Sequence, residues 1–262
     1  MTDKAIIYEK RDRIAYITLN RPRVLNALSS QMNREIHEAL LDFRDDPDVW
    51  VAIFSGAGDR AFSSGHDLKE DTLPGFKEEM DASFWHHADP AIFTTLEIWK
   101  PLIAAINGYC LAGGLELALA CDIRIASETA MFGMSEVLRA LVPGGGGVQR
   151  LPRIVPLAIA MELLLTGDMV DAHEAHRIGL VNKVVPVERL MPTAEEVARK
   201  ICSNGPLTVR AIKEAALRGM DMPLGHALRL NALYTRINYG TEDSKEGPLA
   251  FIEKRPPQYK GK

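Results

Sequence analysis

A single charged residue, Glu116, stands among Leu115, Leu117, Ala118, Leu119 and Ala120. A lone carboxylate in such a run is costly to bury unless something solvates it or pairs with it. Just upstream, Ala112-Gly113-Gly114 opens an apolar segment regular enough to be a helix. A helix start leaves backbone N–H groups bare, and these can hold a developing negative charge. An oxyanion site with a carboxylate close behind it is the beginning of an acid–base centre. A plainer account fits the same residues: Glu suits the first turn of any helix, and Gly-Gly is a common tight turn. Other candidates carry less. The run Gly144-Gly145-Gly146-Gly147 lacks the Gly-Lys-Ser/Thr ending of a nucleotide loop and reads as a turn that lets backbone approach a ligand. Trp85-His86-His87 could line a pocket, although histidines in such a loop more often face solvent.

The elements that must carry these groups are legible in outline. Leu102–Ile106 reads as a buried strand ended by Asn107-Gly108, with the Glu116 helix to follow. Before it, Ala5–Glu9 and Ile14–Leu19 flank Lys10-Arg11-Asp12-Arg13 as a hairpin. Met32, Ile36, Leu40 and Phe43 recur at helical spacing after a Ser29-Ser30 cap, and Trp50–Phe54 is a further strand. Ala61–Leu68 leads toward a helix start, Thr72–His87 reads as a loop with a short helix, and Asp122–Ala126 is a strand. Beyond Arg153 the chain turns helical: Asp171/Glu174, Thr193/Glu196 and Asp243/Glu246 each show the cap-plus-three pattern of a helix start. Leu230, Leu233, Tyr234 and Ile237 form an apolar stripe of the kind that packs on another subunit. Strands thus alternate with helices to about Val185, an α/β pattern, with a helical tail after it.

Composition narrows the classes. A chain of 262 residues with 47% apolar and 25% charged residues can bury a large core. A net charge of −4 argues against nucleic acid as the main partner. The start, Met1-Thr2-Asp3-Lys4, lacks an apolar signal core, and the Pro101–Cys121 run is too interrupted to span a membrane. Cys110, Cys121 and Cys202 are odd in number and read as core residues in a reducing compartment, so the expected location is cytoplasmic.

Several ordered motifs together resemble the crotonase family, the enoyl-CoA hydratases and isomerases. Asn20-Arg21-Pro22 with Asn26-Ala27-Leu28 resembles the family's N-terminal signature, and Phe62-Ser63-Ser64-Gly65-His66-Asp67-Leu68 its first oxyanion segment. Asn107-Gly108-Tyr109 through Glu116 to Cys121-Asp122-Ile123 resembles the second. Phe132-Gly133 with Glu136, Pro143-Gly144, Gln149-Arg150-Leu151 and the ending Ala250-Phe251-Ile252-Glu253-Lys254-Arg255 continue the match over nearly the whole chain.

The resemblance implies a crotonase-type spiral of ββα turns over residues 1–192. It implies a C-terminal helical region over 193–262 that builds trimers, commonly paired into hexamers. The implied substrate is an acyl-CoA thioester, with CoA as part of the substrate and no metal or other cofactor. The backbone N–H groups of His66 and Gly113 would form the oxyanion hole, with Ser64, Asp67 and Leu68 in the same substrate-binding segment. Glu116 takes the position of the glutamate that activates water, and Glu136 that of the one moving a proton at Cα. Burial would raise the pKa of Glu116 and the helix start would lower it, so the sequence leaves open which carboxyl holds the proton. Gly144 matches a position whose amide helps hold the water. Phe251 and Lys254 would contact the CoA nucleotide, with a neighbouring subunit as their source. Two departures stand out: His66 replaces a small Ala, and Arg139-Ala140 replaces Leu-Gly.

Reversible hydration of a 2-enoyl-CoA is the expected reaction. Within the family the alternatives are a double-bond isomerase and a dehydratase of a polar acyl-CoA such as carnitinyl-CoA, suggested by Gly147-Val148, Arg150-Leu151-Pro152 and Ile178–Asn182. Dehalogenases and thioester hydrolases of the same family are less well matched, given a glutamate at 116. Outside catalysis, an RNA-binding or inactive member is the rival.

Overall fold

The computed structural model describes residues 4–70 and 97–262, so the Thr72–His87 loop and Trp85-His86-His87 lie outside the described residues. A hairpin begins the chain: Ile6–Arg11 (β1) pairs antiparallel with Ile14–Leu19 (β2). Its turn is only Asp12 and Arg13, both at positive φ (51° and 66°), a backbone twist that suits tight hairpins. Lys10 and Arg11, expected in the loop, instead extend the ladder.

From β2 the sheet grows by parallel addition of Val51–Gly56 (β3), Leu102–Ile106 (β5), Ile123–Ser127 (β7) and Lys183–Val185 (β10). A second, four-stranded sheet holds Ala61–Ser63 (β4), Tyr109–Leu111 (β6), Met131–Gly133 (β8) and Met169–Asp171 (β9), in that order. The chain therefore climbs in repeats: β3 passes to β4, β5 to β6, and β7 to β8. The small sheet corrects the expectation that Ala61–Leu68 heads straight into a helix, for it begins with a strand. At the β5–β6 corner, Asn107 Nδ2 donates to the carbonyls of Gly56 (3.1 Å) and Gly58 (2.8 Å), tying one repeat to the one before.

Alternate residues of the large sheet enter two cores. Ala15, Ile17, Ala52, Phe54, Ala104 and Ile106 face Ser30–Asp45 (α1), whose Met32, Ile36, Leu40 and Phe43 are all buried. Ser29 caps α1 by accepting the Met32 N–H, as the sequence suggests. On the other face Ile14, Val51, Ile53, Ile103 and Ile125 pack against Leu190, Ala194 and Ala198 of Leu190–Cys202 (α6). Both faces are covered, which is why these strands read as unbroken apolar runs. Thr193 does not cap this helix. It is buried inside it, because Pro192 is tolerated in a first turn and the helix starts earlier. The 192/193 divide falls within α6.

Along the chain before α6 come the further helices Gly113–Ala120 (α2), Gly147–Ile154 (α3), Leu157–Thr166 (α4) and Ala172–Arg177 (α5). Asp171 caps α5 through the Glu174 N–H, as expected. Pro206–Gly219 (α7), Leu224–Asn238 (α8) and Asp243–Ile252 (α9) complete the chain. Asp243 is the first residue of α9 rather than its cap, and its carboxylate accepts the N–H groups of Lys260 and Gly261. No residue of α8 is buried, and Leu233 and Ile237 of its apolar stripe are exposed.

Candidate active site

Three segments converge on the β6–α2 corner. The first is laid down by Leu28, whose N–H donates to Gly65 O (2.8 Å) and whose carbonyl accepts from Asp67 N (3.0 Å). That pattern is a parallel bridge between Leu28 and His66, so the N–H of His66 itself faces away from Leu28. Gly113 lies on that side: a Cβ placed on it would stand 3.5 Å from His66 N. Gly65, at φ +92°, allows the approach, since a Cβ there would meet Ala112 Cβ at 2.7 Å and Gly113 N at 3.0 Å. The first bond of the α2 ladder is Glu116 N to Ala112 O, leaving the Gly113 amide ahead of the ladder. Ala112 turns the corner at φ 49°, ψ −126°, a strained conformation for an L-residue of the kind that clusters at functional sites.

The N-terminal signature is the brace of this corner. Arg21 pairs with Asp67 (Nη2–Oδ2 2.8 Å) and donates to Ala27 O, while Asn26, fully buried, donates to Ala57 O and Ala61 O. The carboxylate of Asp67, expected on the substrate side, therefore holds the oxyanion segment through Arg21. Ser64 is half-buried, with its amide on Leu25 O, and Leu68 is exposed.

Glu116, 4% exposed, accepts the Gly147 N–H on Oε1 at 2.8 Å. A Cβ on Gly147 would stand 2.1 Å from Met134 Cε and 3.0 Å from Glu116 Oε1. A side chain there would have to displace the Met134 tip and crowd the carboxylate that the amide serves. Gly144, the position expected to serve the water, is exposed with open space beside it. The residue that sequence reasoning passed over is thus Gly147, and its signal was present: the last glycine of the tract opens α3, where amides lack helical partners.

Glu136 rides on the 3-10 turn Ser135–Arg139 that follows β8. Its Oε2 is buried with no hydrogen-bond partner. Burial pushes this carboxyl up to about 7, and the charge of Glu116 adds to the rise, against its own backbone N–H and Arg139. Ala140 ends the turn at φ 56°, the conformation that accounts for a glycine there in the resembling proteins. Cys110 and Cys121 are buried and their thiols are pushed up, Cys121 to about 12, so neither is a nucleophile. Phe251 (85% exposed), near the end of α9, and Lys254, just past it, stand in solvent, and the structure does not gather them into the glutamate site.

At the other end of α2, buried Arg124 donates to the carbonyls of Cys121 (2.6 Å), Ala118 (3.4 Å) and Leu180 (2.7 Å). The site thus offers two amides beside each other, one carboxylate held by an amide, and one carboxyl that keeps its proton near neutral pH. That set can stabilise an enolate oxygen while moving protons at adjacent carbons.

Comparison with known proteins points the same way. The family model described as enoyl-CoA hydratase/isomerase matches residues 9–262. The chain is 45% identical over 256 residues to (E)-benzylidenesuccinyl-CoA hydratase of Thauera aromatica, covering 98% of this chain and 99% of that protein. It is 42% identical to crotonyl-CoA hydratase of Syntrophomonas wolfei, covering 97% of each. Among solved structures, an enoyl-CoA hydratase from Bacillus anthracis superposes with a TM-score of 0.91 at 40% identity, over 98% of this chain and all of that one.

Proposed function

This chain belongs to the enoyl-CoA hydratase/isomerase family, the crotonases, and we propose that it hydrates the double bond of a 2-enoyl-CoA thioester with Glu116 and Glu136 as its working carboxyls. Glu116, whose Oε1 accepts the Gly147 N–H, takes a proton from water as the oxygen attacks Cβ. The thioester oxygen gains charge and is held by the amides of His66 and Gly113. Glu136 gives its proton to Cα, so the product 3-hydroxyacyl-CoA gains one hydroxyl and one hydrogen. Glu116 ends protonated and Glu136 ionised, and proton exchange with solvent resets the pair.

The observation that carries this reading is the inequality of the two carboxyls: one holds an amide donor, whereas the other is buried, unpartnered and raised to about 7. The deciding experiment uses crotonyl-CoA in heavy-oxygen water. The label is expected on C3 of the hydroxybutyryl product. Conversion of a 3-enoyl-CoA to the 2-enoyl isomer, with no label taken up from either thioester, would make the chain an isomerase instead.

The CoA moiety belongs to the substrate, and the reaction as assigned uses no metal or other cofactor. In this reading residues 193–262 assemble trimers or hexamers, and Phe251 and Lys254 meet the CoA nucleotide across a subunit boundary. Support comes from α8, whose Leu224, Leu228, Leu233 and Ile237 stand exposed, with no cover among the described residues. Light scattering of L233E/I237E should give a smaller particle than the parent chain; equal masses would refute this assembly face. Three free thiols fit a reducing, cytoplasmic setting. No helix among the described residues is long and apolar enough to cross a membrane.

A further inference from the structure

The glycine tract is held from outside by one side chain that the reaction has not yet used. Arg150, on α3, donates from Nη1 to Gly145 O at 2.8 Å, and its own N–H donates to Gly146 O at 2.9 Å. The guanidinium meets Gly146 through its Nη1 edge, for a Cβ there would stand 2.2 Å from Nη1, and Gly146 takes φ +95°. The next amide, that of Gly147, is the one on Glu116. Three successive glycines therefore have separate tasks: one gives its carbonyl to the guanidinium, one its bare Cα, one its N–H to the carboxylate. Arg150 is half-buried, and burial lowers its pKa while the negative charge of Glu116 pulls the other way, so the two charges feel each other across the turn.

We propose that Arg150 is a positioning residue for hydration: it clasps the glycine turn and so fixes the Gly147 amide on Glu116. This rests on Glu116 as base and Glu136 as acid. The charged groups around the pair come from every neighbouring element. Glu136 and Arg139 sit on the 3-10 turn, and Arg150 sits on α3. Farther off, around a cavity of about 220 Å³ that Arg150 also lines, stand Glu97, Asp122 and Lys213. Lys213 Nζ is on Asp122 Oδ2 at 2.7 Å.

The test is kcat and KM for crotonyl-CoA hydration in the parent chain, R150K and R150M, with thermal melts to show folding. R150M should lose about 10- to 100-fold in kcat with KM changed far less. R150K, which keeps a donor within reach of the Gly145 carbonyl, should recover part of that loss. R150Q replaces R150M if the methionine variant does not fold. A folded R150M with the parent's kcat, or a loss carried by KM alone, overturns the proposal. E116Q and E136Q run alongside: full hydration by either sinks the glutamate assignment itself, whereas two inactive glutamine variants with R150M at the parent's kcat sink only the role of Arg150.

Discussion

Glu116 and Glu136 are the same residue type on differently built ground. Glu116 sits in the first turn of α2 and receives the Gly147 amide, in a helix whose N-terminal end favours negative charge. Glu136 sits on a short 3-10 turn, and its Oε2 is buried facing no donor. On the proposed reading, the contrast teaches that acid and base are told apart by secondary structure before any substrate arrives. A helix start provides for an anion; a bare turn beside it does not.

Removing either carboxyl tests the contrast most severely. E116Q and E136Q should each lower hydration of crotonyl-CoA by about 10²- to 10⁴-fold, measured as loss of enoyl absorbance. A variant that keeps full activity would mean one carboxyl is a bystander. Next in size, G147A forces a methyl into Met134 and Glu116, and a displacement of that order should cost about 100-fold in kcat, with a smaller change in KM.

The pH behaviour sharpens the same contrast with smaller effects. Carbon-13 titration of the side-chain carboxyls should show one glutamate near 7 whose signal is missing from E136Q. Because the folded value lies above the unfolded 4.5, this carboxyl's contribution to stability is full below the unfolded value and is lost as pH rises through the folded one. E136Q should therefore melt a few degrees higher than the parent at pH 8 and at about the same temperature at pH 4. An equal gain at both would contradict a raised carboxyl.

What could be read from the chain alone follows from how local each signal is. Helix α1 was plain because its cap and its four core residues lie within one short span. Glu116 announced itself by isolation among apolar neighbours. Glu136 had no such signal: it sits between ordinary residues, and only the family resemblance singled it out. The small sheet was hidden because β4, β6 and β8 have three residues each, too few for a periodicity, and are defined by pairing across the fold. Thr193/Glu196 misled because a cap-like pattern inside a helix looks the same as one at its start. Gly147 was hidden among four equal glycines, since only the onset of α3 tells which amide points inward.

Arg124 gives the molecule a polarity that the substrate would feel at a distance. Its guanidinium sits on the carbonyls at the C-terminal end of α2, cancelling the negative half of the helix dipole there. The positive half, at Gly113, is left without its usual counterweight, so on the proposed reading the field at the thioester oxygen is partly set by a side chain that never approaches it. Exchanging this arginine for an uncharged residue would leave buried oxygens without donors and weaken the grip on the enolate from behind.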